Sequence, residues 1–333
     1  MRRRNPYYQG PVSDHFDGLR FFAGPEPARR GALANLRFAR GQAERRWPPD
    51  LAPPDPDRPP PRVEGLRLSL VGHSSILVQV AGTNLLTDPV LADTLGPVPG
   101  TGPRRARPPG IRWDDLPPID AVLLTHNHWD HLEGPTLLRL WQRWGCRVVT
   151  PLGNDAVIRR YGAAIPVTVL DWGEATPLSE RLTAHLRPAL HWSGRGVGDR
   201  RMALWGSFVV TDAAGGVLYH VGDTAYGDGS VFRQVREEFG APSVALIPIG
   251  AYEPRWFVGN QHVDPDEAVR IMLDCGAHQA FGHHWGTFQL TWEGPADPPR
   301  DLARALGRHG VEPWRFRPLR PGEPVELAWG PPA

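Results

Sequence analysis

The chain has 333 residues, more than the roughly 100–200 of a common domain but within what one large α/β core fills. With 41% hydrophobic residues, 13 tryptophans and 22% charged residues it carries the material for a sizeable core, which excludes a mostly disordered protein. Its 37 basic residues, all arginine, balance 36 acidic ones and form no long block, so nucleic-acid binding finds no support.

Met1 to Gly10 holds three arginines with no apolar stretch behind them, and no run approaches the ~18 apolar residues of a membrane span, so no leader or membrane helix is expected. His15–Phe22 is aromatic, and the Arg/Ala-rich segment to Arg45 reads as helix laid on the main domain, with membrane contact as the alternative role. Arg46 to Arg62 is too proline-dense for helix or central strand and reads as an extended strap. We therefore divide the chain into an N-terminal extension with its strap, 1–62, and a main domain, 63–333.

Short apolar runs punctuated by Gly, Pro and Asp follow. Leu66–Val71, Ile76–Val80 and Leu85–Thr87 read as a strand meander, and Ile119–Thr125 as a strand buried on both faces. Pro135–Trp144 reads as a helix between Gly134 and Gly145, Val148–Thr150 as a strand, and Asn154–Tyr161 as a helix capped by Asn154. Further strands are expected at Val167–Leu170, Leu182–Arg187, Ala203–Thr211 and Val217–Val221. Asp264-Pro265-Asp266-Glu267 combines an N-cap, an N1 proline and an N3 glutamate, the strongest helix start in the chain. Cys146 and Cys275 stand at helix ends and make no disulfide framework, so reducing, cytoplasmic surroundings are expected.

Chemistry concentrates in Thr125-His126-Asn127-His128-Trp129-Asp130-His131, immediately after the buried strand. His126 and His128 can turn to one side of a strand end while Asp130 and His131 reach a second point. A single tetrahedral ion cannot use all four and keep a position open for water, whereas two adjacent ions can. A lone His-x-His would more often be a satisfied structural pair; four ligands at a strand-to-loop junction are not. His191, Asp223 and His284 stand past the ends of later apolar runs, where α/β folds converge their ligands. Taken singly, each reads equally well as a buried histidine or a turn aspartate. Chemistry alone does not choose between His283 and His284.

The runs T-H-N-H-W-D-H, G-D-T and H-W-G-T-F resemble the metallo-β-lactamase superfamily, whose members are metal-dependent hydrolases with a four-layer αββα sandwich. V-G-H-S-S, L-L-T-D-P, L-I-P-I-G-A-Y-E-P-R-W-F and Q-H-V-D-P-D-E-A-V are similar, more narrowly, to N-acyl-phosphatidylethanolamine-hydrolysing phospholipase D. The resemblance implies two zinc ions, with iron or manganese also compatible. His126, His128 and His191 would hold one, Asp130, His131 and His284 the other, and Asp223 both. It sets His73 and Asp88 near the site, Asp88 either orienting a ligand histidine or capping a strand turn. It gives catalysis to Asp130 and to His262, which would act on the substrate, the alternative being a contact ahead of the Asp264 helix.

The activity it implies is phosphodiester hydrolysis of the phospholipase D type by a metal-bridging hydroxide, on a small-molecule or lipid substrate. Lactone or carboxylic-ester hydrolysis is the alternative. A non-catalytic metal- or lipid-binding protein is the rival from another class, although degenerate members would have lost ligands. Peripheral membrane contact and a homodimer are compatible with the resemblance. The segment around Arg104, Arg105 and Arg107 departs from it; these arginines read either as a clamp for an anionic headgroup or as solvated surface.

Overall fold

Alternation of apolar side chains along the strands decides how the layers stack. The computed structural model describes residues 4–24, 30–48, 50–98 and 100–331. One seven-stranded sheet is formed by β1 (Leu66–Gly72), β2 (Ser75–Val80), β3 (Thr83–Thr87), β4 (Ala121–Leu123), β5 (Arg147–Pro151), β6 (Val167–Leu170) and a strand from the far end of the chain. The other comprises β7 (Ala175–Pro177), β8 (Leu182–Arg187), β9 (Ser207–Asp212), β10 (Val217–His220), β11 (Val244–Pro248), β12 (Gln279–His283) and β13 (Phe316–Pro318); β14 (Val325–Leu327) returns to pair with β1.

Leu85, Ala121 and Leu123 of the first sheet meet Phe208, Leu218 and Leu246 of the second in one central apolar cluster. The intervening residues Leu86, Val122 and Leu124 turn outward onto α2 (Gly134–Trp144) and α3 (Asn154–Ile158). On the opposite side, Tyr219, Ala245 and Ile247 pack beneath α4 (Ser230–Phe239), α6 (Pro265–Cys275) and α7 (Asp297–His309), numbered past the short α5 (Arg255–Val258). The result is the expected αββα order.

Strands β3 to β6 are parallel, as are β10 to β13. Two antiparallel steps set β1 in the direction of β3 and β8 in the direction of β10. The carboxyl ends of β1, β3 and β4 thus leave the first sheet in one direction, as those of β8, β10 and β12 leave the second. Both sets end at one rim.

The α6 start is as expected: Asp264 accepts from the Glu267 N–H, Glu267 reaches back to the Asp264 N–H, and Pro265 fills N1. Three local readings need correction. Asn154 does not cap its helix; Gly153 does, at φ 82°, while the Asn154 amide donates to the carbonyls of Pro151 and Leu204 and the helix stops at Ile158. The strand expected from Ala203 begins only at Ser207, because the Leu204 and Gly206 N–H groups cross to Leu152 and Thr125 near the first sheet. The strand expected over Ile119–Thr125 ladders only over Ala121–Leu123, and the Thr125 N–H turns instead to the Asp88 carboxylate.

Phe16 and Phe21 of the N-terminal extension are buried in the central cluster, and the Asn5 amide donates to the carbonyls of Leu19 and Met202. The expected helix appears as α1 (Ala32–Glu44), with Phe38 stacked on Phe257 at 4.1 Å. No helix among the described residues is long and apolar enough to cross a membrane. The strap, whose Pro49 lies outside the described residues, runs without helix. It is pinned by Asp57, which accepts two bonds from the Arg67 guanidinium on β1 at 2.7 and 2.8 Å and one from Ser69 at 2.8 Å. The Arg67 and Asp57 side chains are 5% and 7% exposed, so breaking the pair strands a buried cation. Asp57→Ala should therefore lower unfolding free energy in urea by about 3–5 kcal/mol. Loss of Glu326, which touches Arg67 from a side chain 75% exposed, should cost under about 1 kcal/mol in the same measurement.

Candidate metal centre

The residues singled out in the sequence gather at the shared rim. His73 sits in the turn between β1 and β2, Asp88 directly after β3, and His126 to His131 after β4. From the second sheet come His191 after β8, Asp223 after β10 and His284 after β12, with His262 in the loop between α5 and α6. His73, Asp88 and His284 adopt positive φ values of 56°, 34° and 63°, a region costly for side-chain-bearing residues that neighbouring contacts must hold. The His73 N–H donates to Thr287 Oγ1, and the His284 N–H to the His73 carbonyl.

Two ligand groups emerge. In the first, His128 Nδ1 lies 2.8 Å from His126 Nε2 and 3.2 Å from His191 Nε2. In the second, His284 Nε2 is 3.4 Å from Asp130 Oδ2 and 3.1 Å from Asp223 Oδ2, and His131 Nε2 is 3.6 and 3.2 Å from the same two oxygens. Asp223 Oδ2 also faces His191 Nε2 at 3.7 Å and His262 Nδ1 at 3.8 Å, so this one oxygen adjoins both groups. His73 Nε2 stands 3.0 Å from Asp130 Oδ2.

The donor set fits metal ions. Tetrahedral zinc with bonds of about 2.0–2.1 Å sets its ligand atoms about 3.3 Å apart, close to the spacings above. Buried atoms without a hydrogen-bond partner include His131 Nε2, His284 Nε2 and Asp223 Oδ1. Such atoms are costly unless something fills the space between them.

The backing contacts select the facing nitrogens. His131 Nδ1 donates to Asp88 Oδ2 at 2.8 Å and His191 Nδ1 to the Gln261 carbonyl at 2.8 Å, which leaves each Nε2 turned inward. Asp88 is itself held by the N–H and hydroxyl of Thr125, both at 2.7 Å. Asp88 thus both orients the His131 ring and holds the backbone at the end of β4.

Burial pushes His126 well below its ordinary value and His128, His191 and His262 down to about 3, so these imidazoles are neutral. Burial also disfavours charge on His131 and His284, but Asp223 and Asp130 outweigh it, holding His131 well above its ordinary value and His284 at about 9. The two carboxylates, which burial alone would raise, are held well below their usual range, chiefly by His131. Lone pairs converge at one group, and the second already favours positive charge.

A 530 Å³ cavity opens above the centre, with Asp130, Asp223, His128 and His262 on its floor and Leu95, Pro97, Trp129, Trp192 and Leu290 among its walls. Of the two readings of the arginine loop, the clamp finds no support, since none of Arg104, Arg105 and Arg107 lines this cavity. Arg105 is 7% exposed, bonds the carbonyls of Val90 and Ala92 and lies over Phe288, while Arg104 faces solvent. Sequence reading missed His220, fully buried 3.7 Å from Asp88, and Arg195, discussed below. His220 had one available signal, its place three residues before Asp223; Arg195, in a G-R-G run, had none.

Residues 83–285 match the family model described as the β-lactamase superfamily domain. The chain is 34% identical over 254 residues to N-acyl-phosphatidylethanolamine-hydrolyzing phospholipase D 1 of Caenorhabditis elegans, covering 73% of this chain and 70% of that protein. It is 33% identical to the mitochondrial protein of the same activity from Saccharomyces cerevisiae, covering 70% of this chain but 50% of the yeast one. In fold it is similar to an isothiocyanate hydrolase from Delia radicum gut bacteria, with a TM-score of 0.63 at 20% identity over 79% of this chain and 99% of that one. The chain thus belongs to the β-lactamase superfamily, as a metal-dependent hydrolase related to the N-acyl-phosphatidylethanolamine-hydrolysing phospholipases D.

Proposed function

We propose that the protein is a dinuclear zinc phosphodiesterase of the phospholipase D type. His126, His128 and His191 would hold one ion, Asp130, His131 and His284 the other, with Asp223 between them. The observation that carries this reading is the single oxygen Asp223 Oδ2, set 3.1–3.7 Å from imidazoles of both groups beneath an open cavity. Named relatives that act on a phospholipid diester support the choice of bond.

When bound, two such ions supply a water acidified to near neutrality and neutralise charge developing on the attacked group. The chain's own part is positional. Asp130 and Asp223 set the negative field that draws cations to the cavity floor. Trp129 and Trp192 wall the cavity, each fixed by its indole N–H, to the Arg195 carbonyl at 3.0 Å and to Gln261 Oε1 at 2.7 Å. His262 borders the cavity, and its buried Nδ1 lacks a partner. Kept neutral by burial, it would donate a ring N–H to the oxygen on which charge develops. The two free cysteines are buried, which fits a cytoplasmic, reducing compartment.

One observation favours ester or lactone hydrolysis as the second reading. Among the described residues lining the cavity, Arg195 is the one basic side chain apart from histidine, and its guanidinium is spent on Asn127, Leu132 and Tyr161. Recognition of an anionic group would then rest on the metal ions alone.

Elemental analysis after mild purification should find about two transition-metal ions per chain, mostly zinc; a trace of metal would defeat the reading. Against a panel of bis(p-nitrophenyl) phosphate, p-nitrophenyl acetate and simple lactones, the diester should turn over fastest. Preference for the acetate or a lactone would move the assignment to the second reading, and inertness of all three with both metals bound would point to a binding protein. His262→Ala should keep both ions and lose about 10²–10³-fold in kcat, as for removal of a hydrogen-bond donor to developing charge. Loss of one metal equivalent from this folded variant would instead make His262 a ligand.

A further inference from the structure

His128, Asp130 and His131 lie in an irregular segment between β4 and α2, held internally by bonds from the His131 and Leu132 N–H groups to the His128 carbonyl. On the reading above this segment feeds both metal positions, so its shape sets their separation. Arg195 spans it from outside. Its Nη1 donates to the Asn127 carbonyl at 3.0 Å and the Leu132 carbonyl at 2.8 Å, the two that bracket the ligand run. Nη2 donates to the Tyr161 hydroxyl at 3.0 Å, and the guanidinium lies 3.4 Å from the centre of the Trp129 ring.

The contact is reciprocal. Trp129 Nε1 donates to the Arg195 carbonyl at 3.0 Å, and the Gly194 N–H to Asn127 Oδ1 at 2.7 Å. Arg195 belongs to the segment that follows His191, and its own N–H is held by Asp199, which also accepts from the Tyr7 hydroxyl at 2.7 Å. Among the described residues no carboxylate pairs with the guanidinium. A partly buried cation bonded only to neutral carbonyls, a hydroxyl and a ring face is an expensive way to gain stability alone. Arginine's planar fork can bridge two carbonyls while stacking on an indole; a lysine ammonium cannot do both.

We propose that Arg195 is a positioning residue that fixes the spacing of the two ligand groups, by bridging the carbonyls on either side of His128, Asp130 and His131 and tying them to the segment that carries His191. This inference rests on the dinuclear reading of the centre.

The test compares wild type, Arg195→Lys and Arg195→Ala after exchange with Co²⁺, whose visible absorption reports ligand geometry. Arg195→Lys should remain folded by circular dichroism, with altered cobalt bands and kcat lower by about 10–100-fold, the usual cost of losing a residue that orients ligands. KM should stay within about threefold, because the guanidinium donors are already taken by protein atoms. If Arg195→Ala folds, methylguanidinium should restore part of its rate; if it does not fold, Arg195→Lys decides. Wild-type kcat and cobalt spectrum in Arg195→Lys, with only a lower melting temperature, would overturn the proposal and leave a structural residue. A rise in KM alone would also overturn it, by making Arg195 a substrate contact. Wild type that binds no metal would bring down the dinuclear reading itself, whereas two bound ions with an unperturbed Arg195→Lys spectrum would remove only this inference.

Discussion

A carboxylate buried among imidazoles, with no arginine among the described residues paired to it, governs this molecule. Asp223 has a side chain 1% exposed, its Oδ1 lacks a partner, and its Oδ2 faces nitrogens of His131, His191, His262 and His284. An isolated carboxylate in such a place would neutralise or be driven to the surface. It persists because positive charge is supplied at the same point, by protons on His131 and His284 in the bare chain and by metal ions in a loaded one. Much of the rim serves that requirement. Asp88 and the Gln261 carbonyl set ring orientations, and strained backbone at His73, Asp88 and His284 is tolerated where the groups must converge.

The layers explain why convergence is possible. Both sheets carry apolar residues on both faces, one toward the central cluster and one toward helices, so their strands are rigid along most of their length. The ligand candidates stand at or just past the strand ends of the shared rim. Histidines and aspartates at the carboxyl ends of six strands therefore meet without any having to cross the core, and the open cavity above them is walled by side chains from loops.

What could be read from the sequence was whatever is local. The contiguous ligands from His126 to His131 announce themselves, as does the capping box at Asp264, because both depend on neighbours in the chain. The alternation over Leu66–Val71 and Ile76–Val80 gives strands within a residue of those observed. Long-range partners left no such mark. The Asn154 amide reaches Leu204, Arg105 folds under its own loop onto the Val90 and Ala92 carbonyls, and Arg195 clasps a segment far earlier in the chain. The run Ala203–Gly206 is as apolar as a strand, yet its N–H groups serve the other half of the molecule. A period or a cap in one stretch of chain cannot disclose an acceptor in another.

The division of the sheets along the chain has a mechanical consequence. Residues 66–170 build all of the first sheet except β14, and residues 175–318 build the second, so the seam between the sheets is also a seam between the two halves of the sequence. His126, His128, Asp130 and His131 come from one half and His191, Asp223 and His284 from the other. Ions held between them would act as a non-covalent cross-link closing long loops, which in the chain-entropy account of cross-links removes roughly 3–5 kcal/mol of unfolded-state freedom for loops of tens to a hundred residues. Chelation would then loosen the seam as a whole, and faster amide exchange would be seen in strands of both sheets well away from the rim.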